Sequence, residues 1–308
     1  MNLKMKTASR WSKPLLALAL ATGFAQLIRG EPVPARGDTP NAAAKAPDRP
    51  AAIPAAPLAA IPAATPAPIQ TATIDLGDGV KMEFVLIRPG SFVMGTDEDN
   101  DPDSDASPRR RVTLTQPFYL GKYEVTQEQW EKVMGSNPSH FQGAKLPVET
   151  VSWNACQEFL AKLQARTGRK FALPTEAQWE FACRAGTSTP WSFGNSDATM
   201  GDYAWSRDNS GQTTHAVGEK KPNASGLYDM HGNVAEWCAD WYAKHTYSGG
   251  VATDPTGPSA GDSRIARGGA WGDDSGYLKC TYRNCSGSDN ANEGIGLRCV
   301  MLVAQSSP

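Results

Sequence analysis

The chain has 308 residues and a formal net charge of −2, so its charge balance gives no sign of a nucleic-acid-binding surface or of attraction to an anionic membrane. Large side chains are unevenly distributed, because residues 31–73 are mostly Ala and Pro and all but one of the nine Trp follow them. About 230 residues remain after this segment, a workable size for one domain with a single core.

The first residues of the chain have the pattern of a secretory signal. Basic side chains precede a short apolar stretch, Leu15–Phe24, and small residues at Gly23 and Ala25 suit a cleavage site. The alternative is a short membrane anchor, but this stretch is well below the ~20 residues that span a bilayer. We therefore expect a signal peptide at 1–25, no membrane span, and a periplasmic or secreted protein.

The segment that follows the signal, residues 26–73, is rich in Ala and Pro and poor in large apolar side chains. Such a composition cannot bury enough apolar surface to offset the entropy lost on ordering the chain. It predicts a disordered linker at 26–73 and a folded domain at 74–304.

The first elements of this domain are predicted to be strands. Residues 74–87 alternate in polarity around a central Gly-Asp-Gly, which indicates a β-hairpin. Residues 91–94 and 111–115 are further short apolar runs with strand character. An antiparallel arrangement is therefore expected at the start of the domain.

Three helices are predicted from their start signals. Thr126 and Gln129 form a capping box, and so do Thr175 and Gln178. Ser152 begins the remaining helix, whose apolar side chains recur at helical spacing: Cys156, Phe159, Leu160 and Leu163. After about residue 186 Gly, Asn, Asp, Ser and Trp dominate, so the second half is expected to be irregular loop with short strands and no helix.

All six cysteines lie in the globular part of the chain, at positions 156, 183, 238, 280, 285 and 299. An even number of cysteines in an exported chain favours disulfides over metal ligation. No Cys-x-x-Cys is present, and the four His have no metal-ligand spacing. Zinc and non-haem iron sites are therefore poorly supported, and the cysteine count alone leaves the disulfide pairing open.

Seven sequence blocks between about Ile74 and Val303 carry a family resemblance. In chain order they are Phe92–Gly95, Tyr123–Thr126, Pro147–Trp153, Leu173–Glu180, Gly226–Trp237, Arg267–Trp271 and Gly294–Arg298. Together they resemble the formylglycine-generating enzyme (sulfatase-modifying factor) domain. The resemblance implies an α+β fold, the loop-rich formylglycine-generating-enzyme variant of the C-type lectin fold, with few short helices and strands.

The resemblance implies a structural calcium site in the block that contains Asp229. The family ligands correspond to the carboxylates of Asp229 and Glu236 and the backbone carbonyls of Gly232 and Val234. Oxygen ligands of this kind suit a hard cation, and a turn containing Gly can direct several carbonyls inward. The alternative is that Glu236 pairs with a buried Arg or caps a turn. Calcium is expected as a structural cofactor.

The resemblance also implies two disulfides. Cys183 and Cys280 match a pair that is bonded in secreted family members, and Cys299 matches one half of a second pair. The partner of Cys299 would lie near Leu160, and here Cys156 lies one helical turn earlier on the same face. Cys156–Cys299 is therefore the second expected bond. Cys238 and Cys285 have no family role, so their pairing stays open.

The cysteine pair that binds copper(I) in formylglycine-generating oxidases has no counterpart in this chain. In those oxidases the pair follows the block at Arg267–Trp271 by a few residues, where this chain has Trp271–Leu278 without Cys. Soft thiolates suit copper(I), and removing them removes the oxygen-activating centre. Neither copper nor oxidase activity is expected here, unless Cys280 and Cys285 act as relocated thiols.

Three function classes remain open after these observations, and the expected one is an exported accessory module. Its cleft, formed by the C-terminal loops 271–283 and 286–293, would bind a peptide, glycan or protein. The second is a periplasmic maturation enzyme, similar to the family member that acts in siderophore maturation. It would use Asp273, Asp274 and Arg283 for acid–base or positioning roles, although such residues are more often salt-bridged scaffold. The third is an oxidase with relocated thiols.

Overall fold

Short strands and helices joined by long loops make up the computed structural model. It describes residues 68–97, 105–244, 246–247 and 250–303, and the elements below belong to this part of the chain. The predicted signal peptide at 1–25 and the predicted linker up to residue 67 lie outside the described residues. Within the described ranges, no helix is both long enough and apolar enough to cross a membrane.

The strands are short, and the longest have seven residues. In chain order they are β1 Thr71–Asp75, β2 Lys81–Ile87, β3 Gly90–Met94, β4 Arg110–Leu114, β5 Phe118–Gly121, β6 Phe171–Ala172, β7 Ala235–Trp241, β8 Val251–Thr253, β9 Arg264–Arg267, β10 Asn284–Ser286, β11 Ile295–Gly296 and β12 Val300–Leu302. The helices are α1 Gln127–Met134, α2 Trp153–Thr167, α3 Glu176–Arg184 and α4 Met200–Tyr203, with 3₁₀ turns at Asp197–Thr199 and Ser275–Leu278. These elements confirm the predicted loop-rich α+β class.

The strands form three sheets with the orders β1-β2-β5-β12-β6, β10-β9-β7-β11 and β3-β4-β8. β1 and β2 form the predicted hairpin, although β1 begins at Thr71, three residues before the predicted start at Ile74. β12 pairs antiparallel with both β5 and β6. The end of the described chain therefore lies inside the first sheet.

The three predicted helix starts are confirmed. Thr126 and Thr175 each accept a hydrogen bond from the backbone N–H three residues later, and the Gln at that position accepts one from the Thr backbone N–H. Ser152 accepts one from the backbone N–H of Ala155. These side chains satisfy amide groups that the first turn of a helix leaves without partners. The single-turn α4, in the half expected to lack helices, was not predicted.

The core contains one face of α3. Its side chains Trp179, Ala182 and Cys183 are at most 1% exposed and pack in one cluster with Met94 and Cys280. The predicted apolar face of α2 is buried as well, and Phe159 stacks on Trp130 of α1 with ring centroids 4.9 Å apart. Apolar burial of this kind is the main force that holds a loop-rich domain together.

Glycines allow the loops of the second half to approach one another closely. Gly232 has φ 99°, and a Cβ there would lie 2.1 Å from the carbonyl oxygen of Trp205. Gly269 has φ 71°, and a Cβ there would lie 2.9 Å from both Leu278 and the carbonyl oxygen of Tyr277. Only glycine fits both the backbone angle and the space. This packing brings His231 against the loop that contains Cys280.

Candidate functional site

Two thiols and an imidazole meet in the interior between α3 and the C-terminal loops. The sulfur of Cys183 lies 3.5 Å from that of Cys280 and 3.8 Å from Nε2 of His231. The three donor atoms all lie within 4.8 Å of one another, and all three residues are buried. The three residues come from α3, from the block before β7 and from the loop after the 3₁₀ turn at Ser275–Leu278. We call this group the Cys-His-Cys cluster.

The His231 ring is held in one orientation by hydrogen bonds on both sides. Nδ1 lies 2.8 Å from the carbonyl oxygen of Leu278, so Nδ1 carries the proton and donates it. Nε2 then accepts from the backbone N–H and the hydroxyl of Ser192, at 3.2 and 2.8 Å. Burial lowers the pKa of His231 to about 4, so the ring is neutral, and its Nε2, 3.8 Å from the sulfur of Cys183, carries a lone pair.

His231 was missed as a candidate from the sequence, although it lies inside one of the family blocks. Its contacts with Ser192 and Cys183 are 39 and 48 residues away along the chain, so no short spacing reveals them. A His inside one family block, with Cys183 and Cys280 after two other blocks, was the available signal. Nothing in a single block shows that the three side chains converge.

Buried charges surround the cluster. Arg267 lies at the end of β9; it forms ion pairs with Glu180 and donates to the carbonyl oxygen of Cys280 at 2.8 Å. Arg184 pairs with the same carboxylate at 2.9 Å. Burial raises the pKa of the Cys183 thiol, and the two guanidinium groups act in the opposite direction. The surroundings therefore combine exclusion of water with positive charge that favours thiolate.

The weak catalytic candidates in the C-terminal loops are held in structural contacts. Asp273 accepts a hydrogen bond from the backbone N–H of Ala270 at 2.9 Å. Asp274 forms an ion pair with Arg207 at 2.7 Å, and both side chains are about half exposed. The contacts of Asp274 therefore lie at the surface of the loop.

The third candidate, Arg283, is buried in an ion-pair network. Its guanidinium donates to both carboxylate oxygens of Glu176, at 2.7 and 3.1 Å. It also donates to the carbonyl oxygen of Asp105 at 2.8 Å. The structure thus shows the scaffold contacts that were the alternative explanation for these three residues.

Aromatic side chains border the same loops. The ring of Trp271 meets that of Phe141 edge to face with centroids 5.5 Å apart, and His140 packs against Phe141 at 4.8 Å. Tyr277 is 44% exposed and packs edge to face on Tyr282, with centroids 5.0 Å apart. Among these rings, Tyr277 is exposed to solvent and Trp271 is partly exposed.

The chain neighbours of Cys280 line a pocket of about 320 Å³. Lys279 and Thr281, two residues of the expected cleft, line it together with the loop 188–190. Arg109 and Arg184 also line it, Arg109 paired with Asp97 and Arg184 with Glu180. The predicted cleft region thus includes a cavity of the size of a small ligand site.

The predicted calcium ligands lie in a buried group of carboxylates. Oδ1 of Asp229 is buried without a hydrogen-bond partner, and Oδ2 accepts from the backbone N–H of Gly218. Glu236 accepts from Arg298 at 2.6 Å and from Nε1 of Trp179 at 2.7 Å. This is the pairing with a buried Arg that stood as the alternative.

The charges around this group suit a cation. Glu124 is also buried there, so the carboxyl groups of Glu124, Asp229 and Glu236 share the one guanidinium of Arg298. Burial raises the pKa of Asp229 to about 6. The backbone N–H of Val234 donates to Glu124, while that of Gly232 donates to the carbonyl of Gly268. The calcium site stays a prediction that fits the orphaned oxygen of Asp229.

The two predicted disulfides are not formed in this structure. Cys183 and Cys280 are neighbours, but 3.5 Å between their sulfurs is well beyond the ~2.05 Å of a disulfide. Cys156 and Cys299 are both buried thiols. Burial, followed by repulsion from Cys299, raises the pKa of the Cys156 thiol. Both bonds therefore stay predictions, and the structure brings Cys280 to Cys183.

Comparison with known proteins agrees with the geometry. Residues 78–303 match the family described as "Sulfatase-modifying factor enzyme 1-like domain". The chain is 31% identical to the formylglycine-generating enzyme of Thermomonospora curvata, with 70% of this chain and 92% of that protein covered. It is 28% identical to the "Chaperone protein LppX" of Paenibacillus barcinonensis, with 72% of this chain and 90% of that protein covered.

A solved structure shows the same likeness. Treponema denticola variable protein 1 superposes with a TM-score of 0.69 at 32% sequence identity, and the match covers 75% of this chain and 98% of that one. These similarities confirm the predicted fold, a loop-rich variant of the C-type lectin fold. With the ordered sequence blocks, they show that the chain belongs to the formylglycine-generating enzyme (sulfatase-modifying factor enzyme 1-like) domain family.

Proposed function

We propose that this chain is an exported accessory module that binds a polypeptide at its C-terminal loops and does not act as a copper oxidase. The signal-like residues 1–25 support export to the periplasm or the medium. The observation that carries the proposal is the state of the loop 271–283. It contains no thiol before Cys280, and its candidate acid–base side chains are held in structural contacts.

The contacts of the polar residues argue against general acid–base catalysis. A catalytic carboxylate needs a free approach to substrate at hydrogen-bond distance. Asp273 instead holds the turn at Ala270, and Arg283 is 3% exposed and bound to Glu176. A maturation enzyme that used these groups would first have to release them from the fold.

The position of Cys280 argues against an oxidase with relocated thiols. Such an oxidase would need Cys280 and Cys285 together at the surface of the cleft. Cys280 is fully buried, and its sulfur lies against Cys183. Carboxylates at Asp273 and Asp274 are hard ligands and would replace a soft thiolate pair poorly.

Two observations favour a polypeptide as the ligand. The exposed Tyr277 and the partly exposed Trp271 present aromatic surface, and aromatic side chains are enriched among the residues that contribute most binding energy at protein interfaces. The relative from Paenibacillus barcinonensis is named a chaperone, and the match covers most of its length. A glycan is the alternative ligand of the same aromatic surface.

The test is binding of the mature protein to a peptide array and, in parallel, to a glycan array. We expect sequence-selective peptide binding that Tyr277→Ala weakens by about fivefold or more, because an exposed aromatic anchor is removed. Val251→Ala is the matched control, since Val251 is 73% exposed on β8, outside the C-terminal loops. Its affinity should equal that of the wild type.

Two results would overturn the proposal. Binding to glycans alone would reject the polypeptide ligand. Conversion of the Cys in a Cys-x-Pro-x-Arg peptide to formylglycine, with copper(I), reductant and oxygen, would reject the accessory role. Loss of that conversion in Cys280→Ser or Cys285→Ser would assign it to relocated thiols.

A further inference from the structure

The Cys-His-Cys cluster brings together three soft or borderline donors without a carboxylate among them. Among the described residues, no other group of three or more His, Cys, Asp and Glu side chains brings its ligand atoms this close together. Neither the calcium site nor the missing copper pair of the oxidases uses these residues. The cluster therefore needs an explanation of its own.

The distances in the cluster match those around a single metal ion. Two thiolates and an imidazole bound to one tetrahedral ion at ~2.3 and ~2.0 Å lie about 3.6–3.8 Å apart from one another. Here the two sulfurs are 3.5 Å apart, and the sulfur of Cys183 is 3.8 Å from Nε2 of His231. Small side-chain movements would place all three donors on a common ion.

We propose that Cys183, His231 and Cys280, in their reduced form, bind one thiophilic d¹⁰ cation, zinc(II) or copper(I). Each thiol releases its proton to solvent as the ion binds. Two thiolates neutralise zinc(II), and with copper(I) they leave one negative charge beside Arg267 and Arg184. Thiolate and imidazole ligands select these ions over calcium or magnesium.

The second layer of contacts already has the form that a metal-bound histidine requires. A ligating imidazole usually donates its other ring N–H to a carbonyl or carboxylate, which fixes the ring and the tautomer. Nδ1 of His231 donates to the carbonyl of Leu278 at 2.8 Å. Nε2 is left to accept from Ser192, and the ion would replace that hydroxyl as its partner.

The bound ion would have a structural role. All three ligands are buried, so the fourth position of a tetrahedral ion would lie in the interior, away from a substrate. The ion would tie α3 to the loop that carries the exposed Tyr277, three residues before Cys280. The same two sulfurs form the predicted Cys183–Cys280 disulfide, so the ion and the disulfide exclude each other and the site belongs to the reduced protein.

The experiment uses the full-length mature protein, reduced and handled without oxygen. Zinc is titrated against a chromophoric zinc indicator, copper(I) is titrated against a bathocuproine competitor, and bound metal is counted by elemental analysis. We expect one ion per chain. Cobalt(II) in place of zinc should give a thiolate-to-metal charge-transfer band, which reports sulfur ligation directly and does not depend on any variant.

Variants assign the ligands. Metal binding should weaken by about tenfold or more in each of three variants, Cys183→Ser, Cys280→Ser and His231→Gln. Losing even a residue that only contacts a metal ligand lowers metal affinity by about that factor. Cys238→Ser removes a buried thiol outside the cluster and should bind like the wild type. Ser192→Ala removes the competing donor and should bind at least as tightly.

The proposal fails if the reduced wild-type protein takes up neither ion, or if cobalt gives no sulfur-to-metal band. It also fails if Cys183→Ser keeps the wild-type affinity, since the ion then lies elsewhere. Uptake of zinc but not copper(I), or the reverse, supports the site and identifies its ion.

Discussion

At the scale of single residues, the interior is unusual for its number of buried charges. Glu176 and Glu180 each pair with guanidinium groups, from Arg283 and Arg267 respectively. A buried ion pair adds little net stability, but removing one partner leaves a charge without compensation and is costly. Asp240 lies in the same region, and its carboxylate accepts from the backbone N–H of Glu176 at 2.8 Å.

Asp240 predicts a measurable pH dependence. Burial, followed by repulsion from Glu176, raises its pKa to about 7. The unfolded-state pKa of an Asp is about 3.9, so between pH 4 and pH 7 the folded protein holds a proton that the unfolded protein lacks. Stability from this group is therefore present at low pH and is lost as the pH rises toward 7. Wild-type protein should lose stability relative to Asp240→Asn between pH 4 and pH 7, and the difference should level off above pH 7.

Urea unfolding of both proteins at several pH values measures this difference. Other groups with raised pKa values titrate in both proteins, so the difference between the two isolates Asp240. Asp208→Asn, at an exposed position, should follow the wild-type profile. Parallel profiles for wild type and Asp240→Asn would show that Asp240 is ionised throughout.

The sequence revealed some site residues and not others, for physical reasons. Glu236 was recognised within its block, but its bond to Arg298 spans 62 residues and no local pattern encodes it. The nearness of Cys183 and Cys280 was implied by the family resemblance. His231 was missed because a buried imidazole is defined by its neighbours in space.

At the scale of elements, helices were predicted better than strands. The signal for a helix start lies within four residues, as at Thr126 and Ser152, and caps need no distant partner. β11 has only two residues and pairs in parallel with β7, about 60 positions earlier. Strands that short are defined by pairing partners far along the chain, so alternation of side chains does not reveal them.

The cap at Ser152 predicts a moderate loss of stability. Its hydroxyl accepts from the backbone N–H of Ala155 at 3.1 Å at the start of α2. Ser152→Ala leaves that amide without a partner and should lower the free energy of unfolding by about 1 kcal/mol. Denaturant unfolding measures the change. Ser152→Asp restores an acceptor and should recover most of the stability, and an Ala variant as stable as the wild type would contradict the cap's role.

At the scale of the whole molecule, the buried carboxylates near Arg298 bear on overall stability. Glu124 lies before α1, whereas Asp229 and Glu236 lie in the block Gly226–Trp237, whose end forms the start of β7. Their mutual repulsion opposes folding unless a cation or protons compensate it. A bound calcium ion would link these segments.

The calcium prediction concerns the melting temperature. An ion that binds only the folded chain stabilises it by mass action. A calcium-selective chelator should therefore lower the melting temperature of the wild type, and added calcium should restore it. Asp229→Asn should melt at a temperature that the chelator does not change. Equal wild-type melting curves with and without chelator, and no calcium by elemental analysis, would exclude the site.

The position of β12 has a consequence for how the protein is made. Val300–Leu302 fill the place between β5 and β6, so the first sheet has a gap until these residues are available. A ribosome must deliver almost the entire domain before that gap closes, since domains fold as units. The first sheet of a nascent chain therefore cannot be completed until residues 300–302 have left the ribosome.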